Sequence, residues 1–491
     1  MSTSAISAGH EVTLQLAQEI LKMGGNAFDA AITAHLAMYI TEPCMASAGA
    51  GGFALCHTPN SRVQMLDFFT QTPLEKRKIK DLDFYPIQVN FGNENEEFHV
   101  GAASMATPGS IAAIFELHRK LGSLPMDVLI DPVLDLAKNG VILNTFQKID
   151  LDLLEPIFKN DPSVRNIFFK EGKLLNEGDL LYFPHFADFL EFLKKEKDEG
   201  FYKGEIGKKI ADYAQEQGGF LQRKDFENYK AYWRPTITAK HFGHEVHLPN
   251  GPSIGGAIMF VLLSNFEKFD GNWLKAISQT LQECKSISGI EFQIRNRYPS
   301  MAFDLHGKTN ATKGTSHFNI IDKWNNAISL TCSLGEGAGY FIPGTDMQMN
   351  NMLGESFLLP NGFHSWVPNT RLNSMMTPTM VLDQQHQIKY IGGSGGAGRI
   401  PYMIAQVLEK IFNLNFSLDN ATEAPRIYVH DSTVHFEQGF NIDRKMLDMH
   451  HNEWNEKSLF FGGVHSIFMD ERMNKIAKGD SRRYGVGHSI K

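Results

Sequence analysis

Cysteine is scarce: Cys44, Cys56, Cys284 and Cys332 are the four in 491 residues, far apart and without a C-x-x-C. That spacing argues against a disulfide scaffold, a thioredoxin motif and a cysteine-rich zinc site, and leaves four small buried apolar side chains as the expectation. The 19 histidines, the His450-His451 pair included, show no H-E-x-x-H or similar spacing, so neither a metal nor a cofactor is expected. Long apolar runs are also missing. The longest, Ala257 to Leu263, has seven residues, against roughly 18 to 20 needed to cross a bilayer. Positive charge is not in excess: 47 Lys plus Arg face 55 Asp plus Glu, giving a net charge of -8 with no block of five or six like charges. No nucleic-acid or membrane partner is therefore expected. The opening MSTSAISAGHEVTLQLAQEI has no basic stretch leading into a continuous apolar one, so the expected location is cytoplasmic.

With 42% hydrophobic and 21% charged side chains, the chain has the composition of a globular protein with a large core. Its length fits two or three domains, one large sandwich, or one chain cut into two subunits equally well. Leu14, Leu16, Ala17, Ile20 and Leu21 follow helical spacing, Gly24-Gly25 ends that helix, and Asn26 is placed to cap a second one reaching about Ile40. A flexible stretch, Ala46 to Gly52, precedes a hairpin of Phe53 to His57 and Arg62 to Phe68. Residues 105 to 270 read as helix-rich, with Ile111 to Leu121 and Val128 to Asn139 as examples. From Thr315 onward strands dominate: Ser316 to Asp322, Ala327 to Leu334, Thr379 to Asp383 and Ile388 to Ile391, then a glycine-rich loop and a helix over Ile400 to Phe412.

Two segments carry candidate chemistry. The loop Gly393-Ser394-Gly395-Gly396-Ala397-Gly398 matches G-x-G-x-x-G and has Asp419 further on. It reads as a dinucleotide fingerprint, a structural turn, or a set of backbone N–H donors at a helix start. A short hairpin before it speaks against the first, which needs a parallel βαβ unit. The second segment is the hairpin around Lys323-Trp324-Asn325. If Asp322 pairs with Asn326 and Asn325 takes a positive φ, Thr315 falls opposite Ser333, with His317 and Thr331 on the same face. That face is either an ordinary polar strand surface or a meeting of two hydroxyls, with His317 structural rather than metal-binding.

Gly314-Thr315-Ser316-His317-Phe318, Ile321-Asp322 and Asn326 to Thr331 together resemble the activation segment of the γ-glutamyltranspeptidase family. The likeness continues in Ile20 to Ala31 (ILKMGGNAFDAA), Glu42-Pro43, Gly51-Gly52-Phe53, Pro108-Gly109-Ser110 and Gly218 to Leu221. It resumes in Asn350-Asn351, Arg371 to Pro378 (RLNSMMTP), Gly393 to Ile400 (GSGGAGRI), Ala424-Pro425-Arg426 and Gly479 to Arg483. The resemblance implies an α+β fold of the N-terminal nucleophile hydrolase type, a four-layer αββα sandwich. It implies a precursor cut between Gly314 and Thr315 into a large subunit, 1–314, and a small catalytic subunit, 315–491. The two fragments would remain together as a heterodimer, one intertwined unit acting on a small-molecule amide or peptide.

A hydroxyl is a poor nucleophile without a base in hydrogen-bond reach. An α-amino group, with a pKa near 7.7 to 8.0, is such a base, whereas the amide of an uncut chain is not. Cleavage at Thr315 is thus the switch that creates the base beside the nucleophile. Gly314, lacking a Cβ, is expected to allow an unusual backbone there. By resemblance, Ser333 stands where the family has a second hydroxyl residue, a threonine, and Gly396 and Ala397 supply the backbone N–H groups of the oxyanion hole.

The substrate-recognition half departs from the family. Phe69 replaces an arginine that grips the substrate α-carboxylate, Gly335 an asparagine, Met352 a glutamine, and Met375 the second serine of a pair; Glu355 and Ser374 remain. A carboxylate buried without its cation loses about 2 to 5 kcal/mol. The expectation is an autoprocessed amidohydrolase or acyltransferase whose acyl pocket is more apolar than the family's. Two other readings stay open: a catalytically silent, unprocessed homologue that binds a ligand or partner, and a nucleotide-dependent oxidoreductase.

Overall fold

The computed structural model describes residues 3–59, 61–90, 95–159, 161–285, 314–356, 358–359, 362–430, 432–442 and 450–491. Thirteen strands make its two large sheets: β1 (Ser4–Ala8), β2 (Gly51–His57), β3 (Gln64–Asp67), β4 (Tyr232–Pro235), β5 (Ile237–His241), β6 (His244–Leu248), β7 (Thr315–Ile321), β8 (Ala327–Ser333), β9 (Thr379–Leu382), β10 (Ile388–Gly395), β11 (Gly463–Met469), β12 (Lys475–Lys478) and β13 (Val486–Ile490). The first sheet runs β4-β3-β2-β8-β7-β1-β13 and the second β5-β6-β9-β10-β11-β12. Every neighbouring pair in both is antiparallel.

Helices α1 (Glu11–Lys22) and α2 (Ala27–Thr41) precede the first sheet's central strands. Asn26 accepts from the N–H groups of Phe28 and Asp29, and Asp29 returns the contact to the Asn26 N–H. This reciprocal cap satisfies donors that a helix start otherwise leaves open. All of α2 is buried, which a helix apolar all round requires; it touches β7 and β8. On the second sheet, α3 (Ile254–Lys268) and α4 (Ile400–Phe412) pack against each other and against β5, β6, β10 and β11.

The strand alternation decides which side chains the two sheets share. In β7 and β8, Phe318, Ile320, Ile328 and Leu330 join the core that includes α2. Ile321 and Ala327 join Phe53, Met380, Ile391 and Ile467, a cluster drawn from both sheets. Thr315, His317 and Asn319 lie on the Ile321 side, and Asn319 donates across to the His465 carbonyl of β11.

The β7/β8 register is the one the turn residues predict: Thr315 pairs with Ser333 and His317 with Thr331. Asn325 has φ 65°, and Asp322 accepts from the Trp324 and Asn326 N–H groups. All four cysteines are buried, and none forms a disulfide among the described residues.

Several expectations are corrected. Ala46 to Gly52, read as flexible, is buried throughout. Ser47 donates to the Gln348 carbonyl, and a Cβ at Gly49 would lie 2.2 Å from that same oxygen. The helix-rich middle also contains β4, β5 and β6. Phe242 and Gly243, both at positive φ, make a two-residue hairpin turn closed by the His241–His244 pair. β1, a short Ala/Ser strand with little hydrophobic signal, has no counterpart among the strands expected from the sequence. The strand leading into the glycine loop, β10, is antiparallel to both neighbours, so the βαβ unit of a dinucleotide fingerprint is not formed. Among the described residues, no helix is long and apolar enough to cross a membrane.

Candidate active site

Thr315 opens β7 and Ser333 ends β8, both 2% exposed. The Thr315 hydroxyl donates to Ser333 Oγ at 3.4 Å, and the Ser333 hydroxyl donates to the Gly314 carbonyl at 2.7 Å. The Gly335 N–H donates to Ser333 Oγ at 3.1 Å. Ser333 thus receives from the candidate nucleophile while polarising the carbonyl of the candidate scissile bond. On the same residue, the Gly314 N–H donates to Glu336 Oε1 at 3.1 Å.

A Cβ at Gly314 would lie 2.0 Å from the Gly335 carbonyl oxygen. Lack of space excludes a side chain there.

The glycine loop closes over the same residues. A Cβ on Gly395 would meet the Thr315 carbonyl at 2.4 Å and the Arg483 guanidinium at 2.6 Å. Gly396 has φ 114° and Ala397 φ 64°, a left-handed pair that turns the backbone sharply beside Thr315 before α4 begins. Ala397 holds that conformation against its Cβ, a strain on the order of 1 to 3 kcal/mol.

A narrow cavity gathers Thr315, Ser333 and Ala397 with four of the positions expected to recognise substrate, Phe69, Met352, Ser374 and Met375. Leu358, Met376 and Ile400 complete its wall. Gly396 and Glu355 are not among the lining residues. Glu355 is buried, 1% exposed, and its Oε1 lies 3.1 Å from where a Gly335 Cβ would stand. Gly335 itself has φ 70°, a conformation that suits glycine.

His317 sits behind the hydroxyl pair as a structural histidine. Its Nδ1 meets Thr331 Oγ1 at 2.8 Å and its Nε2 meets Asn319 Oδ1 at 3.0 Å. Burial, with His465 adding to it, lowers its pKa to about 3, so the ring is neutral and both nitrogens are occupied.

Sequence reasoning assigned no role to Glu336, Glu42 or the Arg483 side chain. Arg483 Nη1 donates to the Thr315 carbonyl at 3.2 Å. Its turn is anchored by a buried ion cluster in which Arg426 Nη2 meets Asp480 Oδ2 at 2.5 Å and Arg482 Nη2 meets Glu437 Oε2 at 2.5 Å. Burial alone would raise the Asp480 pKa, but Arg426 and Arg482 outweigh it and hold the carboxyl well below its ordinary range. Glu42 accepts from the Ser316 hydroxyl at 2.8 Å. Burial raises its pKa to about 7 against the opposing effects of Ser316 and Arg483. Two of these side chains were signalled only by the motifs Glu42-Pro43 and Gly479 to Arg483, which name positions and not contacts.

A second, larger cavity lies against Gly314 and Glu336, with Asp150, Arg399, Arg483 and Trp454 in its wall. Burial raises the Asp150 pKa to about 7, opposed by Arg483 and assisted by Glu336 and Glu42.

A family model described as gamma-glutamyltranspeptidase matches residues 13–298 and 272–490. The glutathione hydrolase proenzyme of Bacillus subtilis is 26% identical over 99% of this chain and 91% of its own length. The capsule biosynthesis protein CapD proenzyme of Bacillus anthracis is 27% identical over 100% of this chain and 91% of its own. Among solved structures, the cephalosporin acylase from Bacillus halodurans superposes with a TM-score of 0.83 at 21% identity, covering 100% of this chain and 96% of that one. The match of the family model along nearly the whole sequence shows that this chain belongs to the gamma-glutamyltranspeptidase family.

Proposed function

We propose that the protein is an autoprocessed amidohydrolase or acyltransferase of this family, with Thr315 as nucleophile. The observation that carries the reading is the hydroxyl chain from Thr315 through Ser333 to the Gly314 carbonyl. In self-cleavage, Thr315 Oγ attacks the Gly314 carbonyl carbon while its proton passes toward Ser333. The Ser333 hydroxyl, already on the carbonyl oxygen, stabilises the negative charge that develops there. Collapse breaks the C–N bond as the Thr315 nitrogen takes up the proton that Oγ released, relayed through the Ser333 hydroxyl, leaving an ester on Thr315 and a free α-amine; water then hydrolyses the ester to a Gly314 carboxylate. The proenzyme names of its relatives support such a cut.

In turnover the freed amine takes the Thr315 proton, Oγ attacks the acyl carbon of the substrate amide, and the amine product leaves with a proton. The Thr315 ester then passes its acyl group to water or to a second amine. The N–H groups at Gly396 and Ala397 are assigned the oxyanion, a donor of this kind being worth about 2.7 to 4 kcal/mol. The fragments 1–314 and 315–491 stay together as a heterodimer because β7 lies between β8 and β1, with both neighbours hydrogen-bonded to it. The fold is assigned as the four-layer αββα sandwich, with α1 and α2 outside one sheet and α3 and α4 outside the other.

The acyl group accepted is apolar. Phe69, Met352, Met375, Met376, Leu358 and Ile400 line the cavity around Thr315, and none offers a cation to a substrate carboxylate. The test is kcat/KM for a γ-glutamyl amide against its analogue lacking the α-carboxylate. Preference for the second supports the reading; a glutamyl preference of two or more decades refutes it.

A further inference from the structure

We infer that the acyl subsite continues past Leu358 into a second groove, and that the acyl group carried is a linear apolar chain longer than a glutamyl residue. The inference rests on the reading of Thr315 as nucleophile. Leu358 lines both the cavity around Thr315 and a neighbouring groove. The two spaces are thus adjacent across one apolar side chain. Beyond it the apolar side of the wall is formed by Leu359, Trp366, Val367 and Leu372, with Thr72, Ser365, Thr370, Arg371 and Asn373 supplying polar groups.

The apolar side chains of this path are buried except at Val367. Leu358 is 6% exposed, Leu359 3%, Trp366 6% and Leu372 5%, whereas Val367 is 63% exposed. A chain anchored at Thr315 would leave water at once, run along buried apolar wall, and reach solvent at Val367. Trp366 is held in place by Phe220, edge-on at 5.1 Å, and by the Lys76 ammonium 4.8 Å above its ring. The charged lining residue of the groove, Arg371, is turned onto the carbonyls of Phe69 and Lys230 and lies 3.5 Å from Asp67. Its guanidinium is committed to the protein and is not presented to a carboxylate ligand. Three methionines on the Thr315 side supply unbranched, adaptable side chains, suited to a flexible alkyl chain rather than a rigid group. A glutamyl group would leave the second groove unused.

The probes are linear carboxylates from butanoate to decanoate, the hydrolysis products of such amides, bound to the purified protein and followed by calorimetry. A buried methylene corresponds to a gain of about fourfold in affinity, so decanoate is expected to bind at least tenfold more tightly than butanoate. In Val367→Asp, at an exposed position where folding is not at stake, the ratio of decanoate to butanoate affinity is expected to fall severalfold. Affinity that stays flat beyond butanoate, or a ratio unmoved by the substitution, overturns the inference. Because binding is read without turnover, the two ideas separate. Length-dependent binding by an uncut, inactive chain sustains the groove and sinks Thr315. Equal kcat/KM on acetyl and octanoyl amides by a cut, active protein sinks the groove alone.

Discussion

Removing the Ser333 hydroxyl tests the self-cleavage chemistry at its most exposed point. Ser333→Ala deletes the donor that lies 2.7 Å from the Gly314 carbonyl oxygen and the acceptor that faces Thr315 Oγ. Loss of one oxyanion donor costs about 2.7 to 4 kcal/mol, a slowing on the order of a hundredfold to a thousandfold. The Gly335 N–H also loses its acceptor, which lowers stability by about 1 to 3 kcal/mol. The two effects are separable, since a thermal melt reports the second alone. The assay is the loss of the full-length band after a short pulse of synthesis, in wild type, Ser333→Ala and Ser333→Thr. Ser333→Thr keeps the hydroxyl and should process at close to the wild-type rate. Cleavage of the alanine variant within tenfold of wild type, with its fold intact, would falsify the role given to Ser333.

Three further outcomes are expected. Thr315→Ala should remain a single folded chain without turnover, while Thr315→Ser retains part of both activities, because the hydroxyl beside the new amine is the required feature; mass spectrometry and amide hydrolysis report them. Phe69→Arg should move preference toward γ-glutamyl donors by about tenfold to a hundredfold. It should also lower the melting temperature, since Phe69 is 1% exposed and packs on Phe53 at 5.6 Å; an unchanged donor ratio would remove Phe69 from the acyl pocket. Glu42 has its pKa raised by burial from 4.5 to about 7. Between those values the native state holds a proton that the unfolded chain releases, so stability falls as pH rises through that window. Glu42→Gln should remove a fall on the order of 1 to 3 kcal/mol, seen as melting curves that converge at pH 4.5 and diverge at pH 8.

What the sequence made legible was local. Asn26 and Asn325 announce a cap and a turn, and the pairing of Thr315 with Ser333 follows from counting outward from Asn325. The glycine loop was legible as a loop but not in its packing: Gly395 is glycine because Thr315 and Arg483 crowd it, and that neighbourhood joins segments from three parts of the chain. Glu336 and Arg483 were missed as contacts for the same reason, since hydrogen bonds to Gly314 and Thr315 have no signature in spacing. Strands β1, β4, β5 and β6 were hidden by small, polar or mixed composition, where periodicity is weak and sheet neighbours decide. Phe69, Met352, Ser374 and Met375 were proposed from resemblance alone, and they lie together around Thr315.

The central claim is that the bond between Gly314 and Thr315 is cut by the chain itself. Intact mass and N-terminal sequencing of the purified protein test it directly. The account predicts two associated fragments of 314 and 177 residues, roughly 35 and 20 kDa by residue share, the smaller beginning Thr-Ser-His-Phe. A catalytically active protein that remains one 55.1 kDa chain, with no new threonine N-terminus, would contradict it.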